Sequence, residues 1–148
     1  MRAVVWITES GWEACVDAAR ERLPADAQTT LLHVAAAAIE SLAEHGPAHR
    51  LGRRRPPPGA PLRAVSDEAA RALLDEAAAR LGREVEKVAL RGRVEREVVN
   101  ACADADLLVL VRDGEDRPGP KSLGPQARFV VDHAPCELLL AWAGRPRP

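Results

Sequence analysis

The chain has 148 residues, 47% of them hydrophobic and 29% charged, which is enough apolar material for one domain with a sizeable core and excludes a disordered chain. Its formal net charge of −1 supplies no global attraction to nucleic acid or to a membrane surface. Aromatic residues at 3%, with no Tyr and one Phe, leave the core to Leu, Val and Ala and provide no base-stacking platform.

In chain order, "RAVVWI" over 2–7 is a continuous apolar run, the mark of a strand buried on both faces. "MRAVVWITES" is too short and too soon interrupted for a signal peptide. Ser10 is placed to cap the helix that follows, on which Trp12, Val16, Ala19 and Leu23 share a face before Pro24 stops it. "TTLLHV", 29–34, predicts a second buried strand, and "AAAAIESLAEHG", 35–46, a helix closed by Gly46 and Pro47.

Composition then shifts. "PAHRLGRRRPPPGAPLR", 47–63, is basic and Pro-rich and predicts an exposed loop holding neither helix nor strand. Ser66 predicts the start of the next helix, with Asp67 and Glu68 in the first turn, a stripe of Leu73, Leu74, Ala77 and Leu81, and Gly82 at its end. "EVEKVAL", 84–90, alternates polar and apolar residues, as a strand near a sheet edge does. Val94, Val98, Ala101, Cys102 and Ala105 mark another amphipathic helix, and "DLLVLV", 106–111, is the strongest strand signal in the chain. A Gly- and Pro-rich loop, a short helix near 125–133 and the strand "CELLLAW", 136–142, follow, with a polar tail, 143–148. Strands thus alternate with helices through 1–142, and several are apolar on both faces. The pattern predicts the α/β class: a single doubly wound domain, Rossmann-like, with a mostly parallel sheet covered on both sides.

Four segments carry a family resemblance: "RAVVWI", "TTLLHV", "GRVEREVVNACADADLLVLV" and "LGPQARFVVDHAPCELLLAW". "HAPC" running straight into an apolar strand is the most specific of these features, and "ADADLLVLV" is the second. Together they are similar to a universal stress protein (UspA-like) domain, nearly end to end, with 47–63 aligning to nothing fixed. The resemblance implies a five-stranded parallel sheet of the adenine nucleotide alpha hydrolase-like kind, commonly in a homodimer. In one branch of the family it implies ATP at the carboxyl ends of the strands, with an Asp after the first strand and a pattern G-x-x-G, nine residues, G-[ST]. A second branch lacks much of this pattern and does not bind ATP detectably.

The cofactor-binding candidates that follow from the resemblance are Thr8, Val34, Val111, Gly114, Lys121, Gly124, Pro125 and Gln126, for ATP or AMP with magnesium. Gly114 and Gly124 keep the nine-residue spacing. Val111 stands at the first glycine, Pro125 at the hydroxyl residue, and Thr8, followed by Glu9, at the acidic residue. Val111 cannot take the backbone conformations open to glycine, and Pro125 has neither a side-chain donor nor an N–H. Each lost charge-assisted contact is worth about 1.5–3 kcal/mol, so several together push a micromolar site towards millimolar. Pro125 still suits a first helical position, Arg112, Arg117 and Lys121 bring positive charge to the loop, and Thr8 can hydrogen-bond a ribose hydroxyl.

Other residues attract plainer readings. His45 and His49 have a metal-ligand spacing that Gly46 and Pro47 interrupt, which favours surface histidines over a zinc site. His133 suits a helix C-terminal cap, and His33 closes the second strand, where the resemblance places adenine. Cys15, Cys102 and Cys136 form no CxxC pair, as in a reduced cytoplasmic protein with free thiols, and Cys136 reads as an inert core thiol. "RRRPPP", 53–58, reads as a solvated loop rather than a docking motif. The expected protein is a non-enzymatic, cytoplasmic regulatory domain with a degenerate nucleotide site. It would pair as a homodimer through 136–142 or with an unknown protein partner, without nucleic acid or membrane. The alternative is an adenine-nucleotide sensor or slow ATPase.

Overall fold

Every second side chain of the first strand must find a separate core, because strand residues alternate between the two faces of a sheet. In the computed structural model, which describes residues 1–37 and 60–144, that is what the opening apolar run does. Strand β1 (Arg2–Trp6) sends Ala3 and Val5 into one apolar cluster and Val4 and Trp6 into the other, with Ile7 continuing the first. Helices α1 (Trp12–Arg22) and α2 (Ala60–Leu81) cover the first face; α3 (Val94–Ala101) and α4 (Pro125–His133) cover the second.

The remaining strands are β2 (Gln28–Ala36), β3 (Glu86–Gly92), β4 (Leu107–Arg112) and β5 (Glu137–Trp142). Their order is β3-β2-β1-β4-β5, and every pairing is parallel. The sheet is therefore wholly rather than mostly parallel. The least apolar strand, β3, lies at one edge, where Lys87 reaches Asp75 at 2.7 Å and Arg91 pairs with Asp67 of α2. Arg80 of α2 forks onto Asp17 of α1 at 2.9 and 2.8 Å, an exposed pair that solvent screens.

Several boundaries differ from the sequence reading. The residue before α1 is Gly11, not Ser10; it stands at φ 82°, a left-handed conformation that glycine takes without strain. A Cβ there would also come within 3.0 Å of both Ala143 Cβ and Val111 Cγ2. Strand β2 runs on through Ala36, because Ala35 and Ala36 pair with Arg91 and Gly92 of β3; pairing overrides the helix preference of alanine. The rest of the helix expected to 46 lies outside the described residues, as do His45, His49, "RRRPPP" and 145–148.

Helix α2 begins at Ala60, so 60–63 belong to a helix and not to the loop, and Ser66 is not its cap. Proline at 61 is compatible with this start, since first-turn N–H groups have no helical acceptor. Gly82, at φ 73°, ends the helix as expected, its N–H donating to Ala78 O at 3.0 Å. Helix α3 stops with Cys102 as its C-cap, short of Ala105, and α4 spans the expected 125–133.

Candidate functional site

Two strands at the centre of the sheet, β1 and β4, send their chains in opposite directions, β1 towards β2 and β4 towards β5. The crevice beyond their carboxyl ends is where open α/β sheets place ligands. A cleft of about 280 Å³ lies there, with Thr8, Arg112, Asp113, Gly114, Gln126 and Trp142 among its walls.

The loop from β4 to α4 is closed mainly by its own backbone. Gly114 N–H donates to Ser122 O at 3.0 Å, and Glu115 N–H to Lys121 O at 2.8 Å. A Cβ on Gly114 would lie 2.1 Å from Lys121 O, so the loop itself demands glycine at this position. Beneath it Ser122 is fully buried. Its hydroxyl donates to Gly119 O at 2.7 Å and accepts from Arg112 Nη1 at 2.6 Å. The Arg112 guanidinium stacks on the Trp142 ring, 4.6 Å from its centroid, and its Nε is buried without a partner among the described residues. Arg112 Nη1 is thus spent on Ser122 and Nε is buried, while the residue remains part of the cleft wall.

At the start of α4 stands a carboxylate of the chain itself. Asp113 Oδ1 accepts the Gly124 N–H at 2.6 Å, and a Cβ on Gly124 would meet Asp113 Oδ2 at 3.0 Å. The next residue, Pro125, has no N–H. A helix N-terminus favours negative charge, and here Asp113 provides it. Glu115 and Asp116 add two more acids to the cleft wall. Around the cleft, then, Asp113 takes the Gly124 N–H, Arg112 bonds Ser122, and three carboxylates stand in the wall beside one guanidinium.

The residues singled out from the sequence separate into three groups. Thr8, Gly114 and Gln126 line the cleft, although the Thr8 hydroxyl donates to Ser10 O at 2.8 Å. Gly124 and Pro125 form the start of α4, while Lys121 is exposed, 3.8 Å from Glu115. Val34 and Val111 are buried, Val34 in the cluster under α3 and α4 and Val111 in the one under α1, packed over Gly11. The branched side chain of Val111 therefore fills core space beside β1, not the cleft. Residues the sequence reading passed over are Asp113, Trp142 and Ser122. The signal for Asp113 was a helix beginning Gly-Pro with no capping side chain of its own.

The histidines are structural in their contacts. His33 Nδ1 donates to Ile7 O at 2.8 Å, tying β2 to the end of β1. His133 Nδ1 donates to Phe129 O at 2.8 Å and stacks on the Phe129 ring, as a C-terminal cap does. Burial pushes the Cys15 and Cys102 thiols up to about 12 and raises that of Cys136. Cys136 is not a core residue: it precedes β5 and is only partly buried. Among the described residues no cluster of three or more His, Cys, Asp or Glu is placed to hold a metal ion, and no helix is long and apolar enough to cross a membrane.

No protein-family model matches the sequence, and no curated protein matches it. Solved structures do. The hypothetical protein MJ0577 superposes with a TM-score of 0.72 at 16% identity, over 99% of this chain and 97% of its own. The universal stress protein UspA from Lactobacillus plantarum gives 0.59 at 19%, over 95% and 97%. A universal stress protein in complex with cAMP gives 0.64 at 17%, over 97% and 98%. At these identities the likeness is one of architecture, and the architecture of this chain is the universal stress protein fold.

Proposed function

We propose that this chain is a non-catalytic regulatory domain of the universal stress protein kind, acting through contact with a second copy or another protein, in which the chain's own Asp113 holds the place of a phosphate. The observation that carries this reading is the 2.6 Å bond from Gly124 N–H to Asp113 Oδ1. A nucleotide phosphate arriving there must displace that carboxylate, finds no N–H on Pro125, and meets Glu115 and Asp116 across the cleft. Each forfeited charge-assisted contact weakens binding by about 1.5–3 kcal/mol.

The half-buried Leu138, Leu139 and Leu140 on edge strand β5 favour that strand as the surface that meets a partner, since an apolar edge left open invites pairing. Three cysteines without a CxxC pair fit a cytoplasmic setting. Titration of the purified chain with ATP and magnesium by calorimetry tests the reading. No binding tighter than about 100 μM, near −5.5 kcal/mol, is expected; a tighter site overturns it.

A second reading, an adenine-nucleotide sensor, is favoured by one observation: the cleft lies at the switch point of the sheet, in a fold for which a cAMP complex is known. A monophosphate asks for fewer donors than a triphosphate. Binding of cAMP or AMP below 100 μM, roughly the same threshold, would put the sensor in place of the first reading.

A further inference from the structure

We propose that Cys102 and Cys136 are a reversible oxidation site, a pair of thiols that closes to an intramolecular disulfide and locks the segment bearing β4, the cleft loop and α4. Cys102 caps α3, and Ala105 N–H donates back to its carbonyl at 3.1 Å, turning the chain into β4. On the other side Glu137 N–H donates to Asp106 O at 3.2 Å, which brings the start of β5, and Cys136 with it, against the same base of β4. Cys102 belongs to the apolar cluster under α3 and α4, Cys136 packs against that cluster, and their thiols lie within hydrogen-bonding reach of each other.

The two positions are unequal in a way that assigns the order of events. Cys102 is fully buried, whereas Cys136 is partly exposed, so a peroxide meets Cys136 first. The Cys136 sulfur, giving up its proton, attacks one peroxide oxygen; the O–O bond breaks, water leaves, and Cys136 becomes a sulfenic acid. The Cys102 sulfur then attacks the Cys136 sulfur. An S–S bond forms, the S–O bond breaks, and the hydroxyl leaves as a second water with the Cys102 proton. Two thiols are oxidised to one disulfide, and one hydrogen peroxide is reduced to two waters. Burial keeps both thiols protonated, so the pair reacts slowly and stays reduced until the oxidant load is high. Cys15, fully buried in the cluster on the opposite face of the sheet, provides an internal control.

The test treats the reduced full-length chain with millimolar-range hydrogen peroxide and reads intact mass and non-reducing peptide maps. The expected result is a loss of about 2 Da, as two hydrogens leave, with one peptide pair joined Cys102 to Cys136, free Cys15, and reversal by dithiothreitol. Closing a loop of about 35 residues should raise the thermal midpoint by roughly 8–15 °C. In Cys102→Ala, which has no resolving thiol, Cys136 should instead be trapped as a dimedone adduct. An unchanged mass, a bridge to Cys15, oxygen uptake without a bridge, or disulfides only between chains would each overturn the proposal.

Discussion

Replacing Gly114 by alanine tests whether this glycine serves the chain or a ligand. The added Cβ would stand 2.1 Å from Lys121 O and 2.8 Å from the Ser122 carbonyl carbon, both backbone atoms, so no side-chain rotation relieves the clash. The strand end or the 120–122 turn must move by about 1 Å to restore ordinary contact distances. Such a shift breaks the Gly114–Ser122 and Glu115–Lys121 backbone bonds, worth about 1 kcal/mol each. It also disturbs the Arg112–Ser122 bond, at 2.6 Å between a guanidinium and a fully buried hydroxyl, which adds about 1.5–3 kcal/mol if lost. Partial relaxation brings the expected destabilisation of Gly114→Ala to about 2–4 kcal/mol, measured by urea unfolding in buffer without nucleotide or phosphate. A loss below about 0.5 kcal/mol would refute the reasoning, because it would mean that the loop is not closed as described and that the glycine is spare.

Asp113→Ala removes the acceptor of the Gly124 N–H just before α4 and should lower stability by about 1 kcal/mol, the usual worth of one hydrogen bond. The same variant should gain affinity for cAMP or inorganic phosphate over the parent chain, seen as a larger ligand-induced rise in thermal midpoint; an equal rise in both chains would show that the carboxylate is no barrier. The buried thiols set an alkaline limit. With Cys15 and Cys102 pushed from the ordinary 9.0 up to about 12, the folded state keeps protons that the unfolded chain releases. Stability is therefore full below pH 9, falls as pH rises through the interval to about 12, and is lost by about 2 kcal/mol per thiol at pH 10.5. Cys15→Ala should flatten that decline by roughly half, and a slope unchanged from the parent would exclude Cys15 as its source.

Elements whose environment is imprinted on consecutive residues were legible in the sequence. The "RAVVWI" and "DLLVLV" runs announce strands apolar on both faces, and they became the central strand, β1, and its interior neighbour, β4. Pro125 announces the first residue of α4 because its fixed φ and missing N–H suit a helix start. Long-range pairing was not legible. Four alanines from 35 read as helix, yet β3 supplies hydrogen-bond partners that draw Ala35 and Ala36 into β2. For the same reason Ser10 reads as a cap, while the actual entry to α1 is set by Gly11 fitting against Val111 and Ala143.

At the candidate site, the glycine spacing and the loss of the hydroxyl at 125 stand in the sequence, but their meaning does not. Asp113 meets Gly124 across an intervening loop, and Arg112 meets Trp142 from the neighbouring strand; neither contact leaves a periodicity or a local motif. The same holds for Cys102 and Cys136, separated along the chain and brought near each other only at the foot of β4. The sequence by itself determined the class of fold, because two-faced burial and helical periodicity are repeated over neighbouring residues and survive as pattern. Only the tertiary structure decided which charges face the cleft and which are spent inside it, because ionic and hydrogen-bonded partners are selected by distance in space, to which order along the chain is blind.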